Sequence, residues 1–170
     1  FWELLAITSV FQIWARKTER SYSAGLRYLL LHVFSGVLLL SGAILIYVNG
    51  NGSNVQPGDL SIQLLELSGT GAWLIFAAIR IKCCFPFVHT WLVDSYPEAP
   101  PTAPVFLSAF TTKTAVYALA RTFAGEELLV WVGTSMALFP IYFAVIENDL
   151  RRVLGYSMIN QIGFMVVGIG

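Results

Sequence analysis

The sequence predicts an all-α, polytopic membrane bundle of about six helices, with residues 1–170 forming one transmembrane unit. Composition is the first reason. Hydrophobic residues make up 56% of the chain and charged ones 12%, where a soluble domain carries about 25% charge. Mean hydropathy is +0.70, and a soluble fold of this length could not hide so much apolar surface. The second reason is segmentation: apolar runs close to the ~20 residues that cross a bilayer as a helix alternate with polar connectors. Period is the third. No run alternates apolar and polar residues with the spacing of two that a membrane barrel requires.

In chain order, the first segment runs from Phe1 to about Ala15, and the second from roughly Leu26 to Val48. Between them, Arg16-Lys17-Thr18-Glu19-Arg20-Ser21 is a polar hinge. Turn formers at 49–54, followed by Pro57-Gly58-Asp59, close the second segment. The third and longest covers roughly Leu64 to Leu92, and Pro97, Pro100, Pro101 and Pro104 break the chain after it. The fourth runs from about Ala103 to Ala120, the fifth from about Leu128 to Ile146, and the sixth from about Val153 onward. Glu147-Asn148-Asp149-Leu150-Arg151-Arg152 separates the last two. The chain opens and stops inside apolar runs and has no initiator Met, so the first and last helices are expected to be truncated and the chain to be an internal piece of a longer protein. No basic stretch or small-residue cleavage site precedes the first run, which is therefore no signal peptide.

Basic residues orient the bundle, because cytoplasmic loops collect Lys and Arg. The 16–20 hinge holds three and the 147–152 loop two, on one side if every helix spans. The opposite side holds none between 49 and 63 and only Arg121 near 121–127. The 16–20 and 147–152 loops are thus expected to be cytoplasmic, although the 93–102 loop on that side carries no cation.

Several function classes are excluded. Formal net charge is zero, so there is no basic surface for nucleic acid. The only cysteines, Cys83 and Cys84, are adjacent. That spacing fits neither zinc nor a redox pair, a vicinal disulfide would be strained, and two small packing residues in a helix are expected. The chain offers no nucleophile–base set, no metal-spaced His or Cys cluster and no glycine-rich nucleotide loop. No metal or cofactor is expected, and an enzyme label would belong only to a complex containing the chain.

Charge inside the apolar segments is the informative feature. Glu3, Arg80, Lys82 and Lys113 stand away from helix ends, and each costs about 2.5–3.5 kcal/mol at a helix centre on insertion scales. They are expected to face protein or water. Glu3 lies ~18–20 Å along a helix from Arg16, near mid-bilayer at about 1.5 Å per residue. Pro86 cannot donate its backbone N–H and presses on the carbonyl four residues earlier, that of Lys82. The helix should kink or break beside the lysine, and irregular backbone at membrane depth survives only where it lines a cavity or is buried in protein. Broken helices with a charge at the break are what ion-coupled transporters use.

A buried ammonium is disfavoured by desolvation and favoured by a nearby carboxylate. An ion pair that opens and closes therefore switches proton affinity. Each tenfold change is about 1.4 kcal/mol, commensurate with the ~2.3 kcal/mol per charge that about 100 mV of membrane potential supplies. His32, with no metal-spaced companion, is either a packed polar residue or a relay station. His89 falls seven residues after Lys82, which would put both on one helical face; it could help a proton leave or cap the interface. Thr111, Thr112 and Thr114 flank Lys113 and either back-bond locally or line a water wire.

Three ordered stretches carry a resemblance. They are Lys82-Cys83-Cys84-Phe85-Pro86-Phe87-Val88-His89-Thr90-Trp91-Leu92-Val93-Asp94 with Glu98-Ala99-Pro100; Thr112-Lys113-Thr114-Ala115-Val116-Tyr117-Ala118-Leu119-Ala120-Arg121; and Asn148-Asp149-Leu150-Arg151-Arg152-Val153-Leu154-Gly155-Tyr156-Ser157 with Asn160-Gln161-Ile162-Gly163-Phe164. From Glu3 onward the chain resembles the antiporter-like membrane subunits shared by NADH:quinone oxidoreductase (complex I), Mrp-type sodium/proton antiporters and membrane-bound hydrogenases. The resemblance implies a fold of two inverted five-helix repeats, of which this chain holds most of one. It implies that Glu3 is the essential glutamate of the fifth helix, Lys82 its partner in a discontinuous seventh helix, and Lys113 the connecting lysine of the eighth. The expected partners are other membrane subunits, the lipid bilayer and protons, with sodium left open, in a bacterial or archaeal plasma membrane. The chain departs from the pattern at Arg80, which at about 200° from Lys82 should point away from it, and at the extra prolines Pro101 and Pro104. Two functions follow: proton translocation through a switchable Glu3–Lys82 pair with Lys113 as relay, or a non-pumping assembly subunit whose charges hold helices together at ~0.6–2 kcal/mol per interhelical bond.

Overall fold

The computed structural model describes residues 2–49 and 69–170. The turn-former run after Asn49, Pro57-Gly58-Asp59 and the start of the third segment at Leu64 lie outside them. Every regular element among the described residues is helical: α1 Trp2–Trp14, α2 Glu19–Asn49, α3 Thr70–Lys82, α4 Thr90–Ser95, α5 Ala103–Leu107, α6 Lys113–Thr122, α7 Glu127–Ile146 and α8 Leu150–Ile169. A π-helical turn, Ser108–Thr112, joins α5 to α6.

Six apolar segments thus become three uninterrupted helices, two interrupted ones and α1. The uninterrupted α2, α7 and α8 are long and apolar enough to cross a membrane, with mean hydropathies of 2.4, 1.9 and 1.2 over their best windows. α2 starts seven residues before the expected Leu26, taking in Glu19, Arg20 and Tyr22. An acidic residue in its first turn suits the positive end of the helix dipole. α8 starts three residues early because Asp149 caps it, its carboxylate accepting from Arg151 N at 3.0 Å.

The third segment is broken, as expected, and more completely than a proline kink would require. α3 ends at Lys82, four residues before Pro86, and regular helix resumes at Thr90. Cys84 (φ 56°) and Phe87 (φ 74°) take the left-handed conformation that side chains ordinarily avoid, so the chain turns sharply here. Two expectations are corrected by this. Cys83 and Cys84 pack in the buried core as reduced thiols, but in the break and not within a helix. His89 does not share a helical face with Lys82, because no continuous helix connects them.

α7 packs most extensively on α8, and α2 on α3. Both crossings depend on glycine. A Cβ on Gly163 would meet Ala137 N at 2.7 Å and Gly133 O at 2.9 Å, and one on Gly42 would meet Gly71 O at 2.8 Å. Small residues let membrane helices approach closely, and dispersion contacts then hold them. Leu30, Val37, Leu40, Val145, Leu154 and Phe164 point outward, as expected of a surface solvated by lipid.

Three connectors meet at one end. Arg16 donates to Pro97 O at 2.8 Å and to Glu98 Oε2 at 3.3 Å, while Arg151 donates to the same Pro97 O at 3.1 Å. Arg27 pairs with Asp94 at 3.4 Å. The 16–20 and 147–152 loops therefore lie on the same side, and the cation-free 93–102 loop between them is held by arginines from both neighbours.

Candidate functional site

The site is built where α1, α2 and the end of α3 meet. Lys82 is the last residue of α3, with a relative exposure of 0%. Its Nζ donates to Trp2 O at 2.7 Å and lies 4.0 Å from the centroid of the Trp2 ring. Trp2 O, in the first turn of α1, accepts the ammonium through its second lone pair beside its helical bond, while the indole face adds a cation–π attraction. Arg80 is exposed on the opposite face of α3, beside a groove lined by Phe85, Pro86, Phe87, Trp131, Val132 and Ser135. The angular argument for Arg80 holds.

Glu3 follows Trp2 and acts electrostatically on Lys82. The two form no ion pair within 4.0 Å, the distance that Arg16–Glu98, Arg27–Asp94 and Arg152–Glu147 reach. One Glu3 oxygen, Oε1, is buried without a hydrogen-bond partner. The carboxylate instead occupies the space above Gly36 of α2, where a Cβ would collide with it. Next to it, Trp2 Nε1 donates to Ser35 Oγ at 3.2 Å, and Ser35 Oγ donates to Ala78 O at 2.9 Å. This chain of bonds ties α1 to α2 and α2 to α3 around the lysine.

The break supplies the second wall. Ile81 O, in the last turn of α3, accepts from Cys84 N at 3.4 Å and from Trp91 Nε1 at 2.9 Å. Trp91 also meets the His32 ring edge-to-face at 4.5 Å and the Tyr28 ring at 5.3 Å. His32 is fully buried; its Nδ1 lies 2.9 Å from Tyr28 O, its ring stacks on Tyr28 at 4.0 Å, and its Nε2 has no partner. Lys82 acts on it electrostatically. His32 is thus both packed and part of the Lys82 surroundings.

Glu3, Lys82 and His32 are brought together; the other predicted residues are elsewhere. Lys113 begins α6 after the π turn, half-buried, with Nζ 3.9 Å from Met165 Sδ of α8. His89 precedes α4 and packs edge-to-face on Phe139 of α7 at 4.8 Å, with a buried Nδ1 that has no partner. Of the threonines, Thr112 and Thr114 back-bond to Ser108 O and Phe110 O at 3.2 and 2.7 Å. Thr111 alone reaches another helix, its Oγ1 3.3 Å from Ser9 Oγ. The sequence reading missed Trp2, Tyr28, Ser35, Gly36 and Trp91. A signal was present in α2: Ser21, Tyr28, His32 and Ser35 are all buried, at the seven–four–three spacing of one helical face.

Residues 1–170 match the family model "NADH:quinone oxidoreductase/Mrp antiporter, TM". An Na(+)/H(+) antiporter subunit from Alkalihalophilus pseudofirmus is 29% identical over 100% of this chain and 37% of its own length. An NADH-quinone oxidoreductase subunit from Ectopseudomonas mendocina is 34% identical over 98% of this chain and 36% of its own. A protein of the Mrp complex from Dietzia sp. DQ12-45-1b superposes with a TM-score of 0.78 at 27% identity, covering 89% of this chain and 30% of that one. A protein of the membrane-bound sulfane sulfur reductase, an archaeal respiratory membrane complex, shares the fold with a TM-score of 0.78 at 23% identity, covering 96% and 36%. The chain therefore spans about a third of the length of these relatives.

Proposed function

This chain belongs to the transmembrane family of NADH:quinone oxidoreductases and Mrp antiporters, and on that premise we propose that it translocates protons as part of a larger multi-protein membrane complex. Glu3 and Lys82 form its switchable site and Lys113 is a relay. One observation carries this reading: a fully buried lysine at a helix break, with an unpartnered buried carboxylate oxygen of Glu3 close by but outside ion-pair distance. Buried charges in a static structure are normally paired tightly. Here Lys82 holds a neutral carbonyl and an aromatic face instead.

The mechanism follows from electrostatics. When Glu3 closes on Lys82, the ammonium form is favoured and the site retains its proton. When Glu3 stays above Gly36, the ammonium relies on Trp2 alone, and release of the proton becomes easier. The left-handed residues Cys84 and Phe87 hold the backbone behind Lys82 in a strained turn of the kind that clusters at functional sites. Lys113 lies on a helix whose π turn marks an interruption of the kind that often accompanies function. On this reading the arginine-rich end faces the cytoplasm, protons are the primary ion, and the redox or antiport partner reaction belongs to other subunits.

The test uses the full-length protein in its complex. Lys82→Ala and Lys113→Ala are each introduced, and proton movement into inverted vesicles is measured per assembled complex. Loss of transport at native abundance is expected in both. Unchanged transport in both would defeat the proposal. Loss of assembly with intact transport per remaining complex would favour a structural role.

A further inference from the structure

The face of α3 turned away from Lys82 carries a charge that the proposed mechanism does not use. Arg80 is exposed there, and its guanidinium makes no hydrogen bond or ion pair among the described residues. A basic residue suits the last turn of a helix, but the dipole returns only a fraction of what an arginine costs at membrane depth. The groove beside it, about 310 Å³ in volume, is walled by Phe85, Pro86 and Phe87 of the break and by Trp131 and Val132 of α7. Ser135, which completes the wall, spends its hydroxyl on Val132 O at 2.7 Å. Among the described residues Arg80 is thus an unpaired charge in an otherwise apolar groove.

Two helices gauge its depth. Gly42 meets Gly71 and Ser35 meets Ala78, so α2 and α3 run antiparallel and Arg80 is level with about residue 33, near the middle of Glu19–Asn49. Ser135, across the groove, is eight residues into α7, Glu127–Ile146. At about 1.5 Å per residue the nearer end of α7 is ~12 Å away, well inside a hydrocarbon layer about 30 Å thick. At this depth no regular helix lies between Lys82 and Thr90, and Phe87 and Trp131 are 97% and 72% exposed. Irregular backbone persists in a bilayer only where protein covers it or water fills the space beside it. Walls this apolar do not hold water, so the cover is protein. The same cover must bring a negative charge, because a buried guanidinium is stable only when paired, and a carboxylate matches it with two parallel bonds.

We propose that this groove docks a transmembrane helix of a neighbouring subunit and that an Asp or Glu of that helix pairs with Arg80. Charge and depth select the occupant. A lipid phosphate lies outside the hydrocarbon layer, and a second copy of this face would set arginine against arginine. Arg80 is also where the chain departs from its family. The packing of one part of such a chain on another belongs to the shared fold, whereas the neighbours differ between an Mrp complex and a sulfane sulfur reductase; a departure on this outward groove fits a neighbour. The docked helix bears on the last turn of α3, so assembly steadies the segment that ends in Lys82. The pairing holds whether or not Lys82 carries protons.

Phe87→Cys in the full-length protein, labelled in native membranes with a thiol-reactive benzophenone and irradiated, reports what covers the groove. Cys83 and Cys84 are both 0% exposed and stay unlabelled. The expected product joins this subunit to another subunit of its complex through a helix that contains Asp or Glu. Arg80→Leu, which suits lipid, should lower the amount of assembled complex about tenfold, while Arg80→Lys should stay within about twofold of native. Arg80→Glu should assemble least and recover when the cross-linked carboxylate is replaced by lysine. The full-length subunit expressed without its partners is the control, and its abundance should be native in Arg80→Leu. A cross-link within the subunit or to lipid alone overturns the docking surface, as does native assembly of Arg80→Leu. A fall in the unpartnered subunit that matches the fall in assembly marks Arg80 as packing within its own chain and overturns it too. No recovery in the charge swap overturns the pairing.

Discussion

Replacing Gly36 by alanine tests the Glu3–Lys82 pocket without touching either charge. A Cβ at Gly36 would overlap the Glu3 carboxylate and lie 3.0 Å from Glu3 Cγ. The obstacle is the end of a flexible side chain, so α1 and α2 can keep their separation while Glu3 swings aside. Forcing Glu3 off its rotamer costs about 0.5–1.5 kcal/mol. That cost falls on the withdrawn position and so favours closure, and an approach of ~2 Å from a few ångströms beyond contact adds about 1 kcal/mol of attraction for the ammonium at an effective dielectric of ~20. The sum, about 1.5–2.5 kcal/mol, corresponds to roughly a 10–70-fold shift toward the closed pair, which holds its proton instead of releasing it. Gly36→Ala in the full-length protein should therefore cut proton movement into vesicles by about tenfold while leaving the amount of assembled protein unchanged. Adding Glu3→Asp, which withdraws the carboxylate by one methylene, should recover part of the loss. Gly42→Ala provides the contrast: its Cβ would meet Gly71 O at 2.8 Å and Ile75 N at 3.0 Å, so backbone must move and abundance should fall first. Native transport in Gly36→Ala at native abundance would refute the claim that the position of Glu3 controls the site.

Other consequences concern the frame around the site. Trp91→Phe keeps most of the ring packing against His32 and Tyr28 but leaves Ile81 O with only its 3.4 Å bond from Cys84 N, which should cost about 0.5–1.5 kcal/mol and lower the midpoint of thermal unfolding in detergent. Gly163→Ala pushes a methyl into Ala137 N and Gly133 O; overpacking of this kind costs about 1–3 kcal/mol, visible as reduced yield of folded protein, and an unaffected yield would argue against the tight α7–α8 crossing. Arg16→Ala and Arg151→Ala together release the Pro97 carbonyl that both residues hold, so the 93–102 loop should become more susceptible to protease from that side. Either single variant should have a smaller effect, because the other arginine still holds the same oxygen.

Much of the architecture was readable before any coordinates. Hydropathy alone located the segments, because in a bilayer every backbone group must be satisfied within its own helix and each crossing therefore leaves a run of apolar residues. The break was readable from Pro86, which sets a steric limit wherever it occurs. Its extent was not. Extrapolating the helix through Cys83 and Cys84 put His89 on the face of Lys82, whereas the left-handed turns at Cys84 and Phe87 carry it to Phe139. The 93–102 loop, which lacked any cation, proved to be the part that Arg16 and Arg151 hold. A count of charges within one loop cannot register charges supplied by its neighbours.

The sequence by itself determined the spans, the interruption beside Lys82, and the short list of charges too costly to leave in lipid. These are properties of single segments measured against water and hydrocarbon. Only the tertiary structure decided which of those charges meet and that Lys82 rests on a carbonyl and an indole with Glu3 held apart. Those facts depend on how three helices cross, and the crossings are set by small residues such as Gly36, Gly42 and Gly71, whose lack of a side chain is visible in the sequence but whose neighbours are not.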